Sequence, residues 1–210
     1  MSEELEQYVI DHSVEELPLL KQLSREANVK LLHGRMVSGH IQGRLLSAVA
    51  HMIKPDRILE IGTYVGYSAI CLAEGLPENG KLITIDKDDE IEDMARSYLE
   101  RCDNAGKIDF IIGDALKIIP GLDETFNLVF IDGDKRQYNE YYDAVFDKVP
   151  SGGFILADNT LWNGKLLHDV ASNDHMSKGL IAFNDRIVND KRVETFMLPL
   201  RDGITFIRKL

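Results

Sequence analysis

The sequence predicts an α/β fold: a doubly wound, mostly parallel seven-stranded sheet with a C-terminal antiparallel hairpin and N-terminal helices. Three observations carry this. From Arg57 onward, short apolar runs alternate with helical patterns, as expected of a parallel sheet covered on both faces. Near the end, the runs 193–198 and 204–208 are joined by a short turn containing Asp202-Gly203. That turn leaves no room for a crossover helix, so the pair must be antiparallel. The N-terminal 50 or so residues, by contrast, look helical.

Taken in order, Ser13-Val14-Glu15-Glu16 has the form of a capping box ahead of Leu17, Leu20 and Leu23. A second helix runs from about Ser38, with Ile41, Leu45, Val49, Met52 and Ile53 on one stripe, and Pro55 breaks it. Between these helices, 32–39 is loop-like and able to cover a site as a lid. Strands fall at 57–61, 81–86, 108–112, 127–132 and 154–158, and helices near 67–74, 90–102, 115–119, 137–148 and 177–189. Pro77-Glu78-Asn79-Gly80 and Pro150-Ser151-Gly152-Gly153 punctuate the connections. The chain reads as one domain, 1–210, with a helical cap and lid region at 1–53 and the sheet-bearing core at 57–210.

Composition narrows the function classes. A formal net charge of −11 argues against a nucleic-acid binder, because no basic footprint is available for phosphates. No apolar run approaches the length of a membrane span, and the acidic start Met1-Ser2-Glu3-Glu4 does not read as a signal peptide. Cys71 and Cys102 fall inside predicted helices without metal-type spacing, which suits reduced thiols in a cytoplasmic protein. Tyr8, Val9, Ile10, Leu17, Leu19 and Leu20 are more apolar positions than one surface helix pair needs, so a homodimer is expected.

The chemistry gathers at the carboxyl ends of the strands, where open parallel sheets bind ligands. Glu60-Ile61-Gly62-Thr63-Tyr64-Val65-Gly66 is a strand end running into a glycine turn and then a helix. Its acid would repel a pyrophosphate and welcome a cation, which favours S-adenosylmethionine over a dinucleotide; the plain alternative is a turn with one exposed Glu. Asp86 stands 20 residues after Gly66, where an acid takes ribose hydroxyls, or else belongs to a solvated run ending at Glu90. Asp114 either accepts from an adenine amino group or caps the next helix. Asp132, Asp158 and Asn159 offer three hard oxygen donors of the kind that suits Mg²⁺ or Ca²⁺. Lys135, three residues past Asp132, can serve as a base beside such a cation, or form an ordinary surface pair. The six histidines show no ligand or triad spacing and read as surface or lid residues.

These motifs together resemble the cation-dependent class I O-methyltransferases, the family of catechol and caffeoyl-coenzyme A O-methyltransferases. The resemblance runs from about Met36 to the C-terminus. It rests on 59–68, Gly113-Asp114-Ala115, Phe130-Ile131-Asp132-Gly133-Asp134-Lys135, Gly152-Gly153, 158–164 and 198–203. It implies a Rossmann-like core and S-adenosylmethionine contacts at Ser38, Glu60, Gly62, Thr63, Ser68, Asp86, Ala115 and Asp132, with Tyr64 and Asp114 beside them. It further implies Asp132, Asp158 and Asn159 as ligands of Mg²⁺, with Ca²⁺ or Mn²⁺ as alternatives, and Lys135 with Asp132 as catalytic residues. Met36, Lys135, Asn159 and Trp162 would meet a small dihydroxy aromatic substrate. Gly133 stands where many members have alanine, an exchange expected to be harmless. The N-terminal arm and 165–177 match poorly. The rival readings are a metal-independent methyltransferase of the same fold and a non-catalytic nucleotide-binding protein.

Overall fold

The computed structural model describes residues 3–210, so Met1 and Ser2 of the acidic start lie outside the described residues. In chain order the elements are α1 (Glu3–Asp11), α2 (Pro18–Lys30), α3 (Gly39–Ile53), β1 (Arg57–Ile61), α4 (Tyr67–Ala73), β2 (Lys81–Asp86), α5 (Glu92–Leu99) and β3 (Ile108–Ile112). There follow α6 (Ala115–Ile118), β4 (Leu128–Ile131), α7 (Tyr138–Phe146), β5 (Phe154–Asp158), α8 (His175–Asn189), β6 (Val193–Leu198) and β7 (Ile204–Lys209). Among the described residues the strands form one seven-stranded sheet in the order β3-β2-β1-β4-β5-β7-β6. β1 to β5 are parallel, and β7 runs antiparallel to both β5 and β6. The strand order reverses between β1 and β4, and ligands enter such sheets at that reversal.

Both faces of the sheet are covered, which is why its strands are apolar throughout. Ile58, Leu82, Leu128 and Leu156 share a core with residues of α2 to α5. Leu59, Ile83, Val129 and Ile155, from the opposite face, share a second core with residues of α6 to α8. Two core tyrosines pin the N-terminal region onto this body: Tyr67 donates to Glu16 and Tyr98 to Glu26.

Several local expectations are corrected. The capping box does not form. Ser13 Oγ donates back to the Val9 carbonyl at 2.6 Å, and α2 begins at Pro18 behind Leu17, which makes no side-chain cap. Proline keeps Leu17 out of helical geometry and itself fits the first helical turn. On α3 the buried face is Gln42, Gly43, Leu46, Ser47, Val49 and Ala50, whereas Met52 of the expected stripe is 75% exposed. Small residues win here because α4 approaches closely: a Cβ on Gly43 would stand 2.8 Å from Cys71 Sγ. α5 stops at Leu99, so Cys102 lies in the following turn and not in a helix, and α6 passes at once into a 3₁₀ turn at Ile119–Gly121. The lid expected as loop contains a 3₁₀ turn, Gly34–Met36.

Candidate active site

Gly62 and Gly66 shape the floor. Gly62 has φ +100°, and a Cβ on it would come 2.3 Å from the Asp132 carbonyl oxygen, so no other residue lets β1 and β4 end in contact. Gly66, at φ +87°, starts α4. Between them Tyr64 adopts φ +46°, and its N–H donates to Asp86 Oδ2 at 2.6 Å. The other oxygen of Asp86 accepts from the Asp88 N–H at 3.0 Å. The tip of β2 thus holds the glycine turn in place, and the carboxylate retains lone pairs for further donors.

A cleft of about 860 Å³ opens over these strand ends. Its lining includes Gly62, Tyr64, Asp86, Asp114, Ala115, Asp132, Lys135, Asp158 and Asn159, with Met36 from the lid and Trp162 from the 3₁₀ turn Trp162–Leu167. Ser38, Thr63 and Ser68 line a small adjoining recess together with Gly62 and Asp132. Asp114 does act as a helix cap, accepting from the Leu116 N–H at 3.1 Å while still facing the cleft.

Glu60 does not line this cleft, which corrects its expected place at the strand-end rim, and it is not the exposed Glu of the plain alternative. It lies one residue before the end of β1, paired with Thr84 and Phe130, and is 0% exposed. Strand alternation turns its side chain to the α4 face. Thr84 Oγ1 donates to Glu60 Oε2 and in turn contacts Thr63 Oγ1 at 2.6 Å, whereas Glu60 Oε1 has no hydrogen-bond partner among the described residues. Burial pushes the carboxyl up to about 8, against the pull of Ser68 and Thr84, with the charges of Asp132 and Asp86 adding to the rise.

At the tips of β4 and β5 the carboxylates converge. Asp158 Oδ2 accepts from Gln42 Nε2 at 2.7 Å and its Oδ1 from the Asn159 N–H at 2.8 Å. Burial first, and then the neighbouring charge of Asp132, push Asp158 up to about 7. Asn159 sits at φ +56°, where an Asn is tolerated better than most residues. Lys135 Nζ donates to Asp132 Oδ1 at 2.6 Å and to the Gly133 carbonyl at 3.1 Å. Burial works against its charge, yet Asp132 and Tyr138 outweigh it and hold the ammonium above the usual lysine range. As a free-standing pair, then, Lys135 is the cation that answers Asp132. The α8 backbone presses on this turn through Gly179, where a Cβ would come 2.5 Å from the Lys135 carbonyl oxygen.

No cluster of three His, Cys, Asp or Glu with metal-binding form occurs among the described residues. The available set is two mutually repelling carboxylates beside an amide, all hard oxygens, and that chemistry fits a hard divalent cation. Sequence reasoning missed Gln42, Tyr138, Gly179 and Arg201. The Tyr138 hydroxyl donates to the Asp158 carbonyl at 2.9 Å, and Arg201 lines the cleft.

A profile of the O-methyltransferase family matches residues 10–210. The chain belongs to that family. It is 32% identical to a caffeoyl-CoA O-methyltransferase of Stellaria longipes, covering 100% of this chain and 91% of that protein. It is 33% identical to caffeoyl-CoA O-methyltransferase 1 of Arabidopsis thaliana, covering 100% and 85%. The O-methyltransferase TomG of Streptomyces achromogenes, solved with S-adenosylmethionine, superposes with a TM-score of 0.91 at 27% identity, covering 100% and 99%. An SAH-bound methyltransferase of Podospora anserina gives 0.90 at 26%, covering 100% and 97%. This O-methyltransferase is therefore S-adenosylmethionine-dependent, with the Rossmann-like sheet of its relatives. Among the described residues no helix is long and apolar enough to cross a membrane.

Proposed function

We propose that this O-methyltransferase methylates one hydroxyl of a vicinal dihydroxy aromatic with the help of a divalent cation, Mg²⁺ in the first place. The observation that carries the reading is the convergence of Asp132, Asp158 and Asn159 beside the largely buried Lys135 in the cleft. These three residues would hold the cation, which when bound would act as a Lewis acid and lower the pKa of the hydroxyl to be methylated.

The chain's own residues do the rest. Lys135 Nζ takes the hydroxyl proton. Its burial favours the neutral amine that this requires, and Asp132 foremost, with Tyr138 behind it, holds the ammonium, so sharing the charge of Asp132 would loosen that hold on the base. Gly62, Thr63, Tyr64, Ser38, Ser68, Asp86, Asp114 and Ala115 hold the cosubstrate along the rim, with Glu60 supporting the turn from beneath. Met36 and Trp162 wall the aromatic ring, and the lid excludes water. Fixing both reactants in line supplies most of the rate, as proximity does in bimolecular transfers.

The test is methyl transfer to a catechol panel with EDTA and then with added Mg²⁺. Loss and recovery are expected. Full activity in excess chelator removes the metal-dependent reading and favours a metal-independent acceptor.

A further inference from the structure

One polar chain, buried at Gln42 and Asp158 and reaching the surface at Arg201, ties the lid to the cleft floor. Gln42, on α3, is 1% exposed, and its Nε2 donates to Asp158 Oδ2 at 2.7 Å. Its Oε1 accepts from Arg201 Nη1 at 3.2 Å. Arg201 can only donate and the Asp158 carboxylate can only accept, so both neighbours demand the same orientation of the amide. The same Nη1 donates at 3.2 Å to the carbonyl of Val37, where the lid ends. At its other end the lid is seated on α2: a Cβ on Gly34 would come 2.5 Å from Asn28 Cα. Met36, on the cleft wall, is thus held between two anchors.

Arg201 lies in the β6–β7 turn at φ +48°, a left-handed conformation that costs a non-glycine residue energy. A glycine would fit that turn better but could not reach α3 and the lid. The strain marks a side chain kept for what it touches.

We propose that Gln42 and Arg201 are positioning residues forming a latch: Arg201 fixes the lid and the Gln42 amide together, and Gln42 aims the Asp158 carboxylate at the cation. The metal half rests on the function proposed above; the lid half stands without it. Arg201 acts on Asp158 only through Gln42, and Gln42 steadies the lid only through Arg201.

The experiment uses the full chain as Gln42→Met, Arg201→Met and the double variant, each checked for cooperative unfolding. Mg²⁺ affinity is measured by calorimetry without substrate, and hydrogen exchange is followed at the Met36 and Val37 amides. These are bonded to the His33 and Gly34 carbonyls at 2.8 and 3.3 Å and report opening of the lid turn. Gln42→Met should weaken Mg²⁺ binding about ten- to a hundredfold, as loss of a ligand's outer partner does. Arg201→Met should weaken it about tenfold, and the double variant no more than Gln42→Met alone, because the two lie on one path. Exchange at Met36 and Val37 should accelerate in Arg201→Met. Multiplying Mg²⁺ effects, or lid exchange unchanged in Arg201→Met, overturns the latch. If the wild type binds no divalent cation, the metal reading falls and lid exchange alone decides the latch. If Gln42→Met does not fold, Arg201→Met, at an exposed position, carries both measurements.

Discussion

A carboxyl placed on the inner face of a sheet with one oxygen unpartnered resists ionisation, because burial penalises the charged form far more than the neutral one. Glu60 is in that position, pushed up to about 8 from an ordinary 4.5. Since its folded pKa is raised, the stability it contributes is fully present below its unfolded value and is lost as pH rises through the folded one. The ligand-free protein should therefore lose stability between about pH 4.5 and pH 8, in proportion to this group's ionisation. Glu60→Gln keeps an acceptor for Thr84 and removes the titration. Its thermal midpoint should match the wild type near about pH 5 and exceed it near about pH 8.5. Parallel curves for the two proteins across that range would show that Glu60 ionises in the fold without cost.

At the scale of elements, close approach does the positioning, and glycines permit it. α8 rests on the Lys135 turn through Gly179, where a side chain has no room against the backbone. Gly179→Ala should lift α8 from that turn, cost about 1–3 kcal/mol of stability as overpacking does, and lower kcat more than it weakens S-adenosylmethionine binding. Equal losses in both would mean that the helix supports the whole rim and not Lys135 in particular. Gly133 obeys the same logic: a Cβ there would stand 2.9 Å from Tyr141 Cε2, so alanine, expected from sequence to be harmless, requires the tyrosine ring to give. Such contacts explain what was legible beforehand. The strands and their acids could be read because alternation, turn glycines and strand-end carboxylates are local patterns in the chain. The buried face of α3 could not, because it is built from Gln42, Gly43 and Ser47, which no apolar periodicity reports. Glu60 was misplaced by a single residue of strand alternation, and Arg201 gains its partners only when the C-terminal hairpin meets the lid.

For the molecule as a whole, surface apolarity and charge set the partners. Leu20 packs into the core, but Tyr8 stays 60% exposed beside half-buried Val9 and Ile10, leaving an apolar strip on the N-terminal helices. A homodimeric mass by light scattering at micromolar concentration is expected; a monomer would mean that this strip is simply solvated. Charge decides the more consequential question of substrate size. Relatives named for caffeoyl-CoA make a coenzyme A thioester the natural competitor to a free catechol acid. Its phosphates need cations at the cleft mouth, and the lysines of α2 and of 165–177 are already engaged: Lys21 with Glu15 at 2.9 Å, Lys30 with Glu26 at 2.7 Å, and Lys165 with Asp174. Each such surface pair is worth less than about 1 kcal/mol, so phosphates could displace the acids one by one. The displaced carboxylates would remain beside them, however, on a chain of net charge −11. Arg35, which lines the cleft, shows no ion pair or hydrogen bond among the described residues, and one free cation is enough for one carboxylate. The kcat/KM for caffeate should therefore exceed that for caffeoyl-coenzyme A at fixed Mg²⁺, and Arg35→Met should erode the preference by weakening caffeate. A tenfold preference for the thioester, about 1.4 kcal/mol of transition-state binding, would reverse the argument and make Arg35, together with Arg25 one turn before Val29 on α2, the start of a phosphate clamp.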